Sequence, residues 1–204
     1  EWYHQYGFLC SELKIMKKNL AIFASGSGTN AENIVNHFKG NSDVAVKLIL
    51  SNKKDAGVLQ RAKKLGIPSH VFSRPDFYEN NNVLEVLKAH SVDWVVLAGF
   101  LWLIPGNLIK AFPDKIINIH PALLPKFGGK GMYGDRVHQA VIQAGEKDSG
   151  ITIHLVNEKY DEGKILFQAS CDIEKDETPQ SLAAKIHQLE YAYFPQVIHD
   201  QVVQ

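Results

Sequence analysis

The chain is expected to fold as one α/β domain, with a mostly parallel central sheet, helices on both faces and an antiparallel portion in its C-terminal half. Three observations carry this. Short apolar runs alternate with helically spaced segments through the first half. The first of these runs breaks off into a glycine turn, Gly26-Ser27-Gly28, that leads straight into a helical pattern. In the second half two β-like runs are separated by only a short turn, a spacing that suits antiparallel neighbours.

The elements follow in order. Leu20 to Ala24 reads as a strand, and a helix is expected from Ala31 to Phe38. Val44 to Leu50 is a second strand, and Val58 to Leu65 a helix closed by Gly66 with Pro68 beyond it. Ser69 to Phe72 is a third strand. Phe77 to His90 carries helical spacing at Val83, Val86 and Leu87. Trp94 to Ala98 is continuously apolar, as a strand buried on both faces of a parallel sheet must be. Ile116 to Ile119 is a further strand, followed by a Pro/Gly-rich loop from Pro121 to Gly134 and a helix near Val137 to Ala144. Ile151 to Val156 and Ile165 to Ile173 are strands flanking a turn at Asp161 to Lys164. The last helix has Thr178 as its cap and Pro179 in its first turn. Leu182, Ile186, Leu189 and Tyr193 share one of its faces before Pro195 disturbs it.

Composition narrows the function classes. Lys plus Arg equals Asp plus Glu at 22 each, so no global field draws in nucleic acid or an anionic membrane. No apolar run approaches the length needed to span a bilayer. Two cysteines, Cys10 and Cys171, make neither a disulfide framework nor a zinc set, which points to a cytoplasmic setting and no metal. Residues 1–15 lack the features of a signal peptide and are expected to be an extension outside a domain of residues 16–204.

Gly26, Gly28 and Ala31 formally match a dinucleotide-binding turn. Glycines there let the backbone approach an anion, and the following helix offers unpaired N–H groups at its positive end. A dinucleotide also wants a carboxylate after the second strand, but that strand ends Leu50-Ser51-Asn52. A single phosphate on a smaller ligand suits the turn better; a purely structural turn is the plain alternative.

Asn118 and His120 stand two apart on a strand, so they project from the same face at its C-terminal end, where open α/β sheets place their ligand crevice. An amide donor beside an imidazole suits acyl transfer: the first stabilises an oxyanion, the second moves protons. The alternative is a core histidine satisfied by hydrogen bonds.

These residues also carry a resemblance. Asn118-Ile119-His120-Pro121-Ala122-Leu123-Leu124-Pro125 resembles the core motif of the 10-formyltetrahydrofolate-dependent formyltransferases. Gly150-Ile151-Thr152-Ile153-His154, followed by Tyr160-Asp161-Glu162-Gly163, resembles that family's second block, and the likeness runs over residues 16–204. It implies a single Rossmann-like formyltransferase domain. It implies Asn118, His120 and Asp161 as catalytic residues, with Asp161 raising the His120 pKa and favouring its charged form. Asp161 alone would otherwise read as a turn residue, and Glu190 as part of a solvated helix face.

Among family substrates the phosphate turn favours glycinamide ribonucleotide; the resemblance implies Gly28, Thr29 and Asn30 on its phosphate, with Glu190 as a second contact. A tRNA acceptor would be expected to need a basic footprint and a domain beyond Gln204. The formyl donor implied is 10-formyltetrahydrofolate, against Leu101, Trp102, Leu103 and Ile104, Asn118, and the loop of Asn157, Glu158, Lys159, Tyr160 and Asp161. Trp102 stands where some relatives have arginine, which leaves Arg74 as a cation for the folate tail. Whether Lys130, in the long loop Phe127 to Gly134, reaches the phosphate is left open by the sequence, and His154 is expected to support the site. The implied product is N-formylglycinamide ribonucleotide of purine synthesis. A monomer or homodimer is expected, without nucleic acid or membrane partners. A 10-formyltetrahydrofolate hydrolase and a non-catalytic phosphometabolite-binding domain are the alternatives.

Overall fold

A computed structural model describes residues 16–204, so the expectation for residues 1–15 lies outside the described residues. A seven-stranded sheet organises the chain, in the order β3-β2-β1-β4-β5-β6-β7. Its strands are β1 (Lys18–Phe23), β2 (Val44–Ser51), β3 (Ser69–Val71), β4 (Trp94–Leu97), β5 (Ile116–His120), β6 (Asp148–Leu155) and β7 (Ile165–Asp172). Pairings among β1 to β5 are parallel, and β5–β6 and β6–β7 are antiparallel.

Strand alternation divides the core into two layers. Leu20, Ile22 and Ala24 face one layer while Ala21 and Phe23 face the other. The first layer takes in α1 (Thr29–Phe38), α2 (Gly57–Leu65), α6 (Asp135–Gln143) and α7 (Pro179–Val202). The second is covered by α3 (Arg74–Tyr78), α4 (Asn82–Ala89) and α5 (Gly106–Ala111). The apolar run of β4 is buried on both sides, as its composition requires. β7 alternates between exposed and partly covered residues, the pattern of a sheet edge.

The structure departs from the expected elements in three places. The single helix expected over Phe77 to His90 is two helices, α3 and α4. Ser73 and Asp76 form a capping box that starts α3 early. Asn80 Oδ1 then takes the Asn82 N–H at 2.9 Å, a local side-chain bond that competes with helix continuation. The short helix α5, after Pro105, was not expected at all. Pro195 does not end the last helix, which runs 24 residues. A proline there leaves the Tyr191 carbonyl without its i+4 donor. Asn33 Nδ2 of α1 donates to that carbonyl at 3.1 Å, which satisfies it and ties α7 to α1.

Candidate active site

Strand order reverses between β1 and β4, and in open α/β sheets ligands bind outside the C-terminal ends at such a point. Here β1 runs out into Gly26 to Asn30, β4 into Gly99 to Ile104, and β5 ends at His120. All three border one cleft of about 530 Å³. Gly28 has φ 77°, and a Cβ on it would lie 2.4 Å from the Val58 side chain, so the turn requires glycine. Among the described residues no side chain caps α1. Its first-turn N–H groups and positive dipole end are therefore left for an anion.

The opposite wall is built by β5, β6 and the turn before β7. Asn118 pairs with His154 across the β5–β6 ladder. Their side chains meet there, with Asn118 Nδ2 donating to His154 Nε2 at 3.0 Å. His154 Nδ1–H donates to the Leu155 carbonyl at 2.9 Å, which leaves Nε2 as the acceptor and fixes the orientation of the Asn118 amide. His120 Nε2–H donates to the Phe127 carbonyl at 2.8 Å, and its Nδ1 lies 3.5 Å from Asp161 Oδ2. Asp161 Oδ2 also accepts the Gly129 N–H at 2.9 Å, and Oδ1 lies 3.6 Å from His154 Nε2.

The backbone at these contacts is unusual. Phe127 and Asp161 both have φ 55°. Aspartate tolerates that conformation, whereas a bulky phenylalanine held there costs on the order of 1–3 kcal/mol and persists only where its surroundings fix it. Gly163 makes the Asp161 turn possible, because a Cβ there would sit 1.6 Å from the Leu155 carbonyl oxygen. Thr152 secures the loop after His120: its Oγ1 donates to the Ala122 carbonyl and accepts the Leu124 N–H.

Burial pushes the His120 pKa down. The Asp161 charge and the Phe127 carbonyl push it up, His154 lowers it further, and the net direction is down. The expected raising by Asp161 is present, but desolvation outweighs it, so the resting ring is neutral. Burial raises the Asp161 carboxyl, and the neighbouring His154 and His120 rings with the Gly129 N–H more than offset this. It lies below its ordinary value and is ionised.

At the phosphate end, Glu190 is buried rather than on a solvated face. Its Oε2 accepts from Asn30 Nδ2 and from His187 Nδ1, each at 2.8 Å. His138, also buried, lines the same cleft. Asn30 Oδ1 and His138 Nδ1 are buried here without a hydrogen-bond partner among the described residues.

Most expected site residues thus converge. Gly28, Thr29, Asn30, Glu190, Asn118, His120 and Asp161 all border the cleft, as do Leu101, Trp102, Leu103, Ile104, Lys159, Tyr160 and Lys130. Asn157 and Glu158 do not. Asn157 Oδ1 accepts the Lys159 N–H at 2.9 Å and shapes the turn, and Glu158 is exposed. The Arg74 guanidinium stacks over Tyr78 at 4.8 Å and Trp102 at 5.6 Å, outside the cleft lining. His138 and His187 escaped the sequence reading. His187 had a signal, since it precedes Glu190 by three residues on one helix face; His138, on an ordinary amphipathic helix, had none.

Comparison with known proteins gives a consistent answer. The formyl transferase family matches residues 18–198. A chloroplastic phosphoribosylglycinamide formyltransferase of Arabidopsis thaliana is 44% identical over 89% of this chain, which spans 64% of that protein's length. A phosphoribosylglycinamide formyltransferase of Bacillus subtilis is 41% identical, over 89% of this chain and 93% of its own. The crystal structure of glycinamide ribonucleotide transformylase 1 from Geobacillus kaustophilus superposes with a TM-score of 0.83 at 36% identity, covering 91% of this chain and 99% of that one.

Proposed function

The chain belongs to the formyl transferase family, and from that premise we propose that it transfers the formyl group of 10-formyltetrahydrofolate to the amine of glycinamide ribonucleotide, a step of purine synthesis. One observation carries the reading: the Asn118, His120 and Asp161 group and the uncapped N-terminus of α1 border the same cleft. The formyl carbonyl of the donor and the phosphate of the acceptor can then be held in one place. The names of the relatives support this acceptor.

Fit to the donor rests on the wall of the cleft. Leu101 to Ile104 supply backbone groups and apolar cover beside Tyr160, a surface suited to a flat heterocycle. When bound, the folate supplies an activated formyl carbon and a nitrogen leaving group. Asn118 has one amide hydrogen on His154 and a second available as the oxyanion donor, and such a donor is worth roughly 3–4 kcal/mol in the transition state. His120 rests neutral with its proton on Nε2, so Nδ1 is the atom that accepts the proton released by the attacking amine and returns it to the leaving nitrogen as that nitrogen's bond to the formyl carbon breaks. Asp161 faces that atom and stabilises the imidazolium that results. The α1 turn holds the phosphate and so fixes where the amine lies. The cysteine content suits a cytoplasmic setting for this chemistry.

The test is acceptor dependence. Protein is mixed with 10-formyltetrahydrofolate, with and without glycinamide ribonucleotide, and deformylation is followed. Turnover only with the acceptor is expected. Equal deformylation without it would overturn the transferase reading in favour of hydrolysis.

A further inference from the structure

Two polar residues behind the cleft take no part in the chemistry above. Ser25 follows β1 and directly precedes Gly26, where the turn assigned to the phosphate begins, and Asn52 follows β2. Ser25 is 3% exposed, and neither residue borders the cleft. The Ser25 hydroxyl donates to Asn52 Oδ1 at 2.7 Å, and the same oxygen accepts the Leu101 N–H at 3.1 Å. The Ser25 N–H donates to the Gly99 carbonyl at 3.0 Å.

We propose that Ser25, with its hydroxyl set by Asn52, is a positioning residue that clasps the phosphate turn to the Leu101 to Ile104 loop, so that acceptor and donor strengthen each other's binding. The inference rests on the assignment of the turn to the acceptor and of the loop to the donor. It goes further by making the two subsites interdependent.

The geometry is specific. A serine hydroxyl has one hydrogen to give, and Asn52 Oδ1 can only accept. That hydrogen therefore goes to Asn52, and the Oγ lone pairs are left for the Leu101 N–H. The loop can turn back towards Ser25 because Gly99 takes φ 75°, a left-handed conformation natural to glycine. One serine thus holds the donor loop at two points, Gly99 through its backbone and Leu101 through its side chain, while its own carbonyl leads into the phosphate turn. On its far side the turn is tied to α2. The Val58 N–H donates to the Gly26 carbonyl at 3.1 Å, and Arg61 Nε–H donates to the Ser27 carbonyl at 2.8 Å. Leu101 borders the cleft and is 37% exposed, so the order of its backbone depends on the bond behind it. A phosphate on the turn fixes Ser25, and Ser25 fixes Leu101. The donor then meets a loop that is already ordered. By linkage the donor favours the acceptor by the same factor.

The test uses glycinamide ribonucleotide and tetrahydrofolate, a pair that carries no formyl group and so gives no turnover. Calorimetry gives the dissociation constant of each, alone and with the other saturating, for wild type, Ser25→Ala and Asn52→Ala. Couplings between sites run from roughly 5- to 150-fold, and one buried hydrogen bond sits at the low end. Wild type is expected to bind each ligand about fivefold more tightly when the other is present. Ser25→Ala should bind each ligand singly but lose the mutual gain. Asn52→Ala, which frees the hydroxyl to rotate, should lose most of it. Should Ser25→Ala fail to fold, Asn52→Ala carries the same comparison with the serine in place. Amide exchange at Leu101 needs no donor: it should quicken in the ligand-free variants and slow in wild type when the ribonucleotide is added. Variants that keep the wild-type gain would overturn the inference, as would Leu101 exchange that ignores both substitution and ribonucleotide. Independent binding of the two ligands by wild type would overturn the coupling and leave the proposed acceptor and donor standing. Failure of wild type to bind the ribonucleotide would overturn the proposed function and the inference with it.

Discussion

Replacing Asp161 by asparagine isolates the charge that faces His120. The substitution keeps the shape, keeps an oxygen for the Gly129 N–H, and keeps a residue type that tolerates φ 55°. What it removes is a carboxylate 3.5 Å from His120 Nδ1, with side chains 11% and 4% exposed. A unit charge pair at that distance in an effective dielectric of about 20 is worth about 5 kcal/mol. Allowing about half for relaxation and water penetration, roughly 2–3 kcal/mol of imidazolium stabilisation is lost, equivalent to about 30- to 150-fold in kcat. The pH profile supplies a second reading. His120 must be neutral to accept a proton, so activity rises with pH through its pKa. Asp161 holds that pKa up against burial. Without the carboxylate, the acidic limb moves to lower pH and the plateau falls. Steady-state kinetics of acceptor-dependent formyl transfer from about pH 5 to about pH 8 reads both. A kcat within about threefold of wild type, with an unmoved limb, would refute the role assigned to the Asp161 charge.

Gly163→Ala should disrupt the turn that carries Asp161, because its Cβ would meet the Leu155 carbonyl oxygen. A loss of about 2–4 kcal/mol in denaturant-derived stability is expected, with folate turnover lost alongside. Thermal stability should fall as pH drops below about 6.5, since the depressed pKa values of buried His120 and His138 mean that the unfolded chain binds more protons there. His138→Gln should flatten that slope, and an unchanged slope would show that His138 does not titrate on unfolding. Asn33→Ala should cost about 1 kcal/mol by leaving the Tyr191 carbonyl unpaired beside Pro195, measured by chemical denaturation against Asn36→Ala on the same helix.

Residues differ in how far they could be read in advance, and the reason is physical. Asn118 and His120 were legible because strand period alone places them on one face, and the β5–β6 register bears that out. The Gly28 turn was legible because a strand, two glycines and a helix leave few conformations. Glu190 was placed only by likeness, since nothing in its helix announces that Asn30, 160 residues away in sequence, would bond to it. Burial of His120 reversed the expected direction of its pKa, and burial depends on the whole fold rather than on neighbours along the chain. The continuation of α7 past Pro195 was hidden for the same reason, because its remedy, Asn33, lies on another helix.

The central claim is that the formyl carbon moves to a phosphorylated amine within this cleft. Protein supplied with 10-formyltetrahydrofolate carrying a 13C-labelled formyl group and with glycinamide ribonucleotide tests it directly, with the label followed by NMR. The account predicts that the label accumulates as the formamide of the ribonucleotide, at a rate that falls steeply in Asn118→Ala. Label released as free formate, at a rate indifferent to the ribonucleotide, would contradict it.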